Sequence, residues 1–559
     1  MSTHTAKGKG EGSENKSKKE TAKEKKESGS GVRNLGGRDL IVLTLLFMAS
    51  FYIYSNPART SDLPFGEGDA AHQIGRANYM AVYDSASREL PFYIASWYSW
   101  ENPDDFFAPI NAAPFMVNAA IMQVIGGQKI VPIQIFYAII ANFTIVLAVF
   151  FVIRKLYGFY PATLAGFFLL FPLRNTIGYI WGQRTVLLAL AYIPLIVYCY
   201  YRYTQSVLNG KEKKTYMFLA AAFLGIAPFF HPATGLLGIS VLGSYTALLL
   251  ILKRKLPFRI STAIIGVVIF AALFLPFYSD YAGQGQSALG SFKIQHLGTL
   301  FTWYTHPSPQ DNPIMYDFSK VHGGMWTIPF ILAATLLLIV RRQPRDIALL
   351  AWLIGLYLML HADVLGFHVH ADRILKGSSH IFYPLVAIAF FMLPSFIPVK
   401  KDIKGWIRIG AMVVLALLIF TLNKPPVIKY LEDPYPVHTR ISQAQLELAD
   451  WMAANLPEHA IVYSMGQLTY PKERFTHVLS ERAFMPGRYL SYEAAEEMVA
   501  KYPITDHTTH LLFDYSDWVM VGEQGKPYIA QLQQAEAALT GDHTTLVYDQ
   551  NYIKVYAVG

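Results

Sequence analysis

From residue 39 to residue 422 the chain alternates long apolar runs with short polar breaks. A helix needs roughly 20 apolar residues to cross the hydrocarbon of a bilayer, and about 17–25 are common. On that measure eleven spans are expected, at 39–55, 131–153, 159–173, 183–201, 215–230, 233–252, 259–278, 325–340, 346–361, 380–398 and 405–422. The apolar stretch 109–125 is a candidate for one more. Charge decides against it. With the Lys-rich amino terminus inside and 109–125 not crossing, Arg154–Lys155, Lys211–Lys214, Lys253–Lys255, Arg341–Arg345 and Lys400–Lys404 all fall on the inner side, where basic loops belong. Counting 109–125 as a span reverses all of these after the first helix. It therefore reads as a juxtamembrane helix on the outer surface.

The pattern changes at both ends. Residues 1–38 are polar and Lys-rich. With so little to bury they cannot offset their ordering entropy, and they read as a disordered cytoplasmic tail that orients the first span. Their polar part is too long for a cleaved signal peptide, and no small-residue cleavage site follows the apolar stretch. After residue 423 the composition becomes that of a soluble domain. Helices are expected at 441–456 and 527–539, and strands at 460–464, 510–513, 518–521, 544–548 and 552–558. The fold class is thus a polytopic α-helical membrane protein: a tail (1–38), a transmembrane domain with a large first outer loop at 56–130 (39–422), and a small extracytoplasmic α/β domain (423–559). The segments 279–324 and 362–379 also face outward, and the first of these is long enough to cover a ligand.

Composition agrees and narrows the choice. Hydrophobic residues make up 53% of the 559 and charged ones 15%, against about 25% charged in a soluble chain. A disordered protein, a coiled coil and an ordinary cytosolic enzyme are excluded. The single cysteine, Cys199, excludes a disulfide framework and any multi-cysteine metal site. The net charge of +8 is accounted for by inner loops and the tail, and predicts membrane lipid rather than nucleic acid as its partner.

Candidate chemistry concentrates in the first outer loop, in Phe65-Gly-Glu-Gly-Asp-Ala-Ala-His-Gln-Ile-Gly-Arg76. Glu67 and Asp69 form an acidic pair among glycines that let backbone approach a ligand closely. His72 and Arg76 follow Asp69 at helical spacing, so the three can share one helix face. Trp97, Trp100, Glu101, Asp104 and Asp105 come further along. Carboxylates and aromatic rings together suit a sugar, whose hydroxyls donate and whose apolar faces stack. The plainer reading is that Asp69 caps a helix running from Ala70 to Tyr83. The carboxyl-terminal domain carries no G-x-G-x-x-G and no G-x-S-x-G, so binding or covering suits it better than catalysis.

An acidic motif just after the first span, a juxtamembrane helix, many spans and a terminal soluble domain resemble the GT-C superfamily, membrane glycosyltransferases that use polyprenyl-phosphate-linked sugars. The run G-x-D-x-x-H-x-x-x-R, with the Trp- and Pro-rich stretch after it, is similar to a prokaryotic branch labelled 6-pyruvoyl-tetrahydropterin-synthase-related membrane proteins. The W-W-D-Y-G motif of the oligosaccharyltransferase relatives is missing, and Asp514-Tyr-Ser-Asp-Trp518 does not match it. That disfavours en bloc transfer to asparagine. The resemblance implies a plasma-membrane enzyme with Asp69 as general base. It implies a single inverting displacement of lipid phosphate by an acceptor hydroxyl of a glycan, protein or lipid, with Glu67 orienting the acceptor or helping to bind a metal.

On that implication, the groups that bind donor or acceptor are His72, Arg76, Trp100, Asp104, Asp105, His231, Arg184, Arg373 and Lys376. Arg suits phosphate because its fork binds two oxygens. Arg174, Arg184 and Arg373 have a second reading, snorkelling to lipid headgroups, and His231 a structural one beside Pro232. A divalent metal, Mg²⁺ or Mn²⁺, would find ligands in Asp104 and Asp105 or in His368 and His370, which share a face if extended. Two readings stand beside the enzyme. One is a lipid-linked-sugar transporter, against which count the lack of an internal repeat and the scarcity of intramembrane charge. The other is a non-catalytic envelope protein that binds a partner and tolerates loss of Asp69.

Overall fold

The structure is a computed structural model, and it describes residues 35–66, 68–82, 93, 119–120, 123–124, 130–180, 182–282, 322–362, 364–366, 371–393, 401–432, 440–465, 470–485 and 508–559. The elements used below are α1 (Gly37–Tyr54), α2 (Gly68–Val82), α3 (Ile130–Leu156), α4 (Leu173–Ile180), α5 (Arg184–Leu190), α6 (Pro232–Lys253), α7 (Pro344–Leu360), α8 (Ser379–Met392), α9 (Lys401–Glu432), α10 (Gln443–Asn455), β1 (Ile461–Met465), α11 (Tyr470–Ser480), β2 (Ala483–Met485), β3 (His510–Asp514), α12 (Lys526–Leu539), β4 (Thr544–Gln550) and β5 (Ile553–Val558).

Every expected span contains a helix, but not every helix is a span by itself. Among the described residues six helical segments are long and apolar enough to cross a membrane: Gly37–Tyr54, Ala138–Leu156, Arg184–Leu208, Pro232–Lys253, Arg373–Met392 and Gly405–Leu431. Lys214–Phe230, Ile260–Pro276 and Met325–Arg341 are shorter apolar helices. The expected span at 159–173 is a ten-residue helix, Phe159–Phe168, followed by a separate α4. The final helix, α9, runs on to Glu432 through Pro425 and Pro426. Only 119–120 and 123–124 of the expected juxtamembrane stretch are described, as helix.

One apolar core joins α1, α3 to α9 and the helices between them. Its closest crossing shows why small residues sit there. A Cβ at Gly355 would come 2.6 Å from the Val241 Cα, and Ser240 Oγ donates to the Gly355 carbonyl at 3.1 Å, so α6 and α7 touch backbone to backbone. Outward faces keep Ile264, Val267, Val414 and Leu417 exposed. A continuous apolar exterior of that kind suits hydrocarbon and not water.

The bundle has two distinct ends. At one, Asp39 at the start of α1 accepts from Arg154 at the end of α3, Nε–Oδ1 2.6 Å. Nearby, Asp346 accepts from Arg341 and, at 2.7 Å, from the Tyr157 hydroxyl, while Arg345 donates to the Leu156 carbonyl at 2.8 Å. Three cations of the loops expected on the inner side, Arg154, Arg341 and Arg345, thus belong to one end with the start of the first helix. The other end carries α2, α4 and the sheet domain.

That domain is a five-stranded sheet of order β2-β1-β3-β5-β4. The first three strands are parallel and the last two antiparallel. The strand expected at 518–521 is instead part of a short helix, Ser516–Met520, because the chain turns straight out of β3. A four-residue apolar run cannot distinguish the two by pattern. α11 and the three-residue β2 were not expected from the sequence. Lys472 and Asp517 form a buried ion pair at 2.6 Å. Gln445 Nε2 donates to Asp514 at 2.8 Å and Asp517 at 3.3 Å, and its own oxygen is occupied by the Ser442 N–H of the α10 cap. This network ties α10, α11 and the carboxyl end of β3 into one unit.

Candidate functional site

The first outer loop is held at three places. Phe65 exchanges two hydrogen bonds with the buried Gln134 of α3, N to Oε1 3.3 Å and Nε2 to O 2.6 Å. Gln73 Nε2 donates to the Gly182 carbonyl, and a Cβ at Gly66 would come 2.9 Å from the Ile180 carbonyl. Gly66 has φ +117°, in the region glycine favours, so the residue type is required both by conformation and by contact. These contacts press the acidic motif against the turn between α4 and α5, more than a hundred residues away in sequence.

The third hold is the sheet domain. Ala70, Ala71, Ile74 and Ala77 of α2 pack on Ile441, Phe475 and Val478, so α11 lies along the motif helix. His72 is buried there. Burial first, then Arg474, His477 and Arg76, pushes its imidazole well below the ordinary range. His477 donates from Nε2 to the Tyr93 carbonyl, and burial brings it down to about 3. Both rings are therefore neutral at physiological pH. Asp514 is shifted the other way, upward, by burial and then by the Asp517 charge.

The expected residues fall as follows. α2 begins at Gly68, so Asp69 stands in its first turn rather than before it. Arg184 is fully buried at the start of α5, its Cζ 5.0 Å from the Tyr179 ring centre. Arg174 is also buried. Neither is at a lipid-facing surface, so snorkelling is not their role. Lys376 is buried with its alkyl chain against α4, where a Cβ at Gly178 would lie 2.8 Å from its Cε. Arg373 is half-buried one turn earlier. His231 caps α6 in extended conformation, its carbonyl accepting from the Thr234 hydroxyl at 2.6 Å. Glu67, Trp100, Asp104, Asp105, His368 and His370 lie outside the described residues. Among the described residues no group of three or more His, Cys, Asp or Glu stands together as a metal site.

Two residues at this place were not read from the sequence. Arg440 forms a bridge with the Phe65 backbone, donates to the Pro57 and Ser61 carbonyls at 3.0 Å each, and lies 5.5 Å over the Phe65 ring. Tyr179 meets the same Phe65 edge-on at 5.9 Å and Tyr54 at 5.6 Å. The only signal for Arg440 is that it is the last cation before the expected helix at 441, and for Tyr179 that it lies between Arg174 and Arg184.

No protein-family model matches the chain, and no curated protein matches it in sequence. Solved structures do. ArnT from Cupriavidus metallidurans in the apo state superposes with a TM-score of 0.54 at 11% identity, over 93% of this chain and 98% of that one. The archaeal oligosaccharyltransferase AglB from Archaeoglobus fulgidus, in complex with an inhibitory peptide and a dolichol-phosphate, gives 0.54 at 13% identity, over 93% and 74%. The chain has the GT-C fold. The likeness extends over membrane bundle and sheet domain together, and it does not reach the narrower prokaryotic branch that the motif resembles. ArnT is also known bound to undecaprenyl phosphate (TM-score 0.53, 11% identity, 93% and 98% covered), and AglB in complex with Zn and sulfate (0.52, 13%, 92% and 73%).

Proposed function

We propose that this GT-C protein transfers a hexose or pentose from a polyprenyl-phosphate-linked donor to an acceptor hydroxyl at the outer face of the membrane. The observation that carries the reading is the convergence of the acidic motif at the start of α2 with the buried cations of α4, α5 and the segment before α8. A base and a phosphate site must lie on opposite sides of one reacting carbon, and in this reading the same end of the bundle provides both. The solved GT-C structures with undecaprenyl phosphate or dolichol-phosphate bound support the donor class.

In this reading Asp69 takes the proton of the acceptor hydroxyl as its oxygen bonds to the anomeric carbon. The bond from that carbon to the phosphate oxygen breaks, its electron pair stays on polyprenyl phosphate, and configuration inverts. Arg184 and Lys376 stabilise the charge that gathers on the leaving phosphate, with Arg373 at the edge of the site. Burial makes such charge stabilisation worth far more than it is in water. His72 and Arg76 place α2 against α11 and face the acceptor, with Glu67 orienting it. In the same reading the amino terminus is cytoplasmic and the sheet domain outside, which the basic loops at the opposite end of the bundle support.

The test uses membranes containing wild type or Asp69→Asn, supplied with radiolabelled polyprenyl-phosphate sugars. Transfer by wild type that falls about 10²–10⁴-fold in the variant, with the variant folded, is the expected result. Equal transfer by both removes Asp69 from the chemistry, and none by wild type with a broad donor panel turns the reading toward binding or transport.

A further inference from the structure

Gln134 is fully buried on α3. Its amide accepts from the Phe65 N–H at 3.3 Å and donates to the Phe65 carbonyl at 2.6 Å. A neighbouring strand holds a residue by the same exchange, so Phe65 is fixed in both place and orientation. Its backbone also bridges to Arg440 at the start of the sheet domain. Gln73 of α2 is buried as well, and it donates to the Gly182 carbonyl in the α4–α5 turn. Phe65 stands four residues before Asp69 and Gln73 four residues after it. Positions 69 and 73 share one face of α2, so the Gln73 bond sets that face against the turn that leads into Arg184. Between the two clamps the chain passes through Gly66 and Gly68, whose backbone freedom would otherwise let the motif shift. Burying an amide is costly, and Met or Leu would fill either place without that cost. What explains the two amides is therefore what they hold. Being uncharged, they hold the motif without setting a further charge beside Asp69.

We propose that Gln134 and Gln73 are positioning residues for the transfer: they set where Asp69 stands relative to the α4–α5 turn, and they act through Asp69 rather than on the substrate. The inference rests on the reading of Asp69 as base and adds to it the two side chains that aim it. A general base must come within about 3 Å of the proton it takes. A displacement of about 1 Å can cost about a hundredfold in rate. Loss of either clamp is therefore read in kcat and not in the KM of the donor.

The test is a pair of double-mutant cycles on the full chain in membranes, Asp69→Asn combined with Gln134→Met and with Gln73→Met. Transfer is followed with radiolabelled undecaprenyl-phosphate sugars, and rates are expressed per folded protein. Met fills the volume of Gln and removes both of its hydrogen-bonding atoms. Alone, Gln134→Met is expected to lower kcat about 10–100-fold and Gln73→Met about tenfold, with the donor KM within about twofold of wild type. In the Asp69→Asn background each is expected to change the remaining rate by less than about threefold, because a base that is gone cannot be misplaced. A residue that only supports the fold lowers the rate by the same factor in both backgrounds. That result overturns the inference and leaves Asp69 as base. A raised KM with kcat unchanged makes the amides substrate contacts and overturns it as well. Equal transfer by wild type and Asp69→Asn, or none by wild type, removes the base reading and the inference together. Should Gln134→Met fail to fold, the Gln73→Met cycle decides, with amide hydrogen exchange as a readout that needs no turnover. Faster exchange confined to α2 supports a local clamp, and unchanged exchange there overturns it.

Discussion

The two ends of the helical bundle handle positive charge differently. At the end bearing Asp39 and Asp346, Arg154 and Arg341 each meet a carboxylate, and the pairs clamp helix termini together. At the end bearing the acidic motif, Arg440 is held by two backbone carbonyls and a phenylalanine ring and meets no carboxylate among the described residues. A guanidinium neutralised by a carboxylate has little left for a ligand. One held by neutral groups keeps its full field. The sheet domain follows the first pattern, since Lys472 and Asp517 neutralise each other in its interior. On the proposed function, charges that hold the fold and a charge left for a ligand are told apart by their partners.

The comparison breaks first at Lys472. Lys472→Met leaves Asp517 buried without its counter-ion, and we expect a loss of about 3–5 kcal/mol from the stability of the sheet domain, read as a fall in its melting temperature. A melting temperature near that of wild type would mean that the pair contributes nothing net. At the opposite end Asp346→Ala strands Arg341 and Tyr157. Because Arg341 keeps some contact with water, about 2 kcal/mol is expected, with undecaprenyl phosphate binding untouched. Arg184→Gln should do the reverse, lowering that binding about tenfold while leaving the melting temperature within a degree or two. If both variants lose stability alone, or binding alone, the distinction between the two ends collapses.

Acid sharpens the contrast within the site end. His72 and His477 have folded-state values below the ordinary 6.5, so the unfolded chain takes up their protons first and stability is lost as pH falls through 6.5. About 1.4 kcal/mol per histidine should be gone one pH unit lower. Asp514, raised to about 6, acts oppositely as pH falls from about 6 toward the ordinary 3.8, because its folded form holds a proton more readily than the unfolded chain does. Protection of the α2–α11 contact from limited proteolysis, followed from pH 7.5 to 5.5, reads the histidine effect. A flat profile would contradict their burial as neutral rings. The smallest effect belongs to Gly178→Ala. Its methyl group meets the flexible end of Lys376, which can shift, so stability should change by well under 1 kcal/mol while donor binding weakens by a few-fold.

Several elements were legible from pattern alone, and the reason differs between the two domains. Membrane helices announce themselves because a bilayer demands length and apolarity from a contiguous run. In the sheet domain β1, β3, β4, β5, α10 and α12 follow from apolar periodicity, and each lies within a few residues of its expected place. α11 escaped because Tyr470-Pro-Lys-Glu-Arg-Phe carries few apolar residues and a proline, and β2 because three residues have no readable period. At the site, the acidic motif and Arg184 stood out by residue type. Tyr179 did not, since a lone tyrosine in a polar turn has no pattern.

What the sequence determined by itself is local: which stretches are apolar, which side their flanking charges favour, and that Asp69, His72 and Arg76 share a helical period. Those properties depend on neighbours within a turn or a span. Which faces meet was decided by tertiary structure. The contact of Phe65 with Tyr179 joins residues 114 positions apart, and that of Phe65 with Arg440 residues 375 apart. No period in the chain encodes such distances. Packing sets them, because the first outer loop buries its alanine face under α11, and that docking brings Arg440 to the motif.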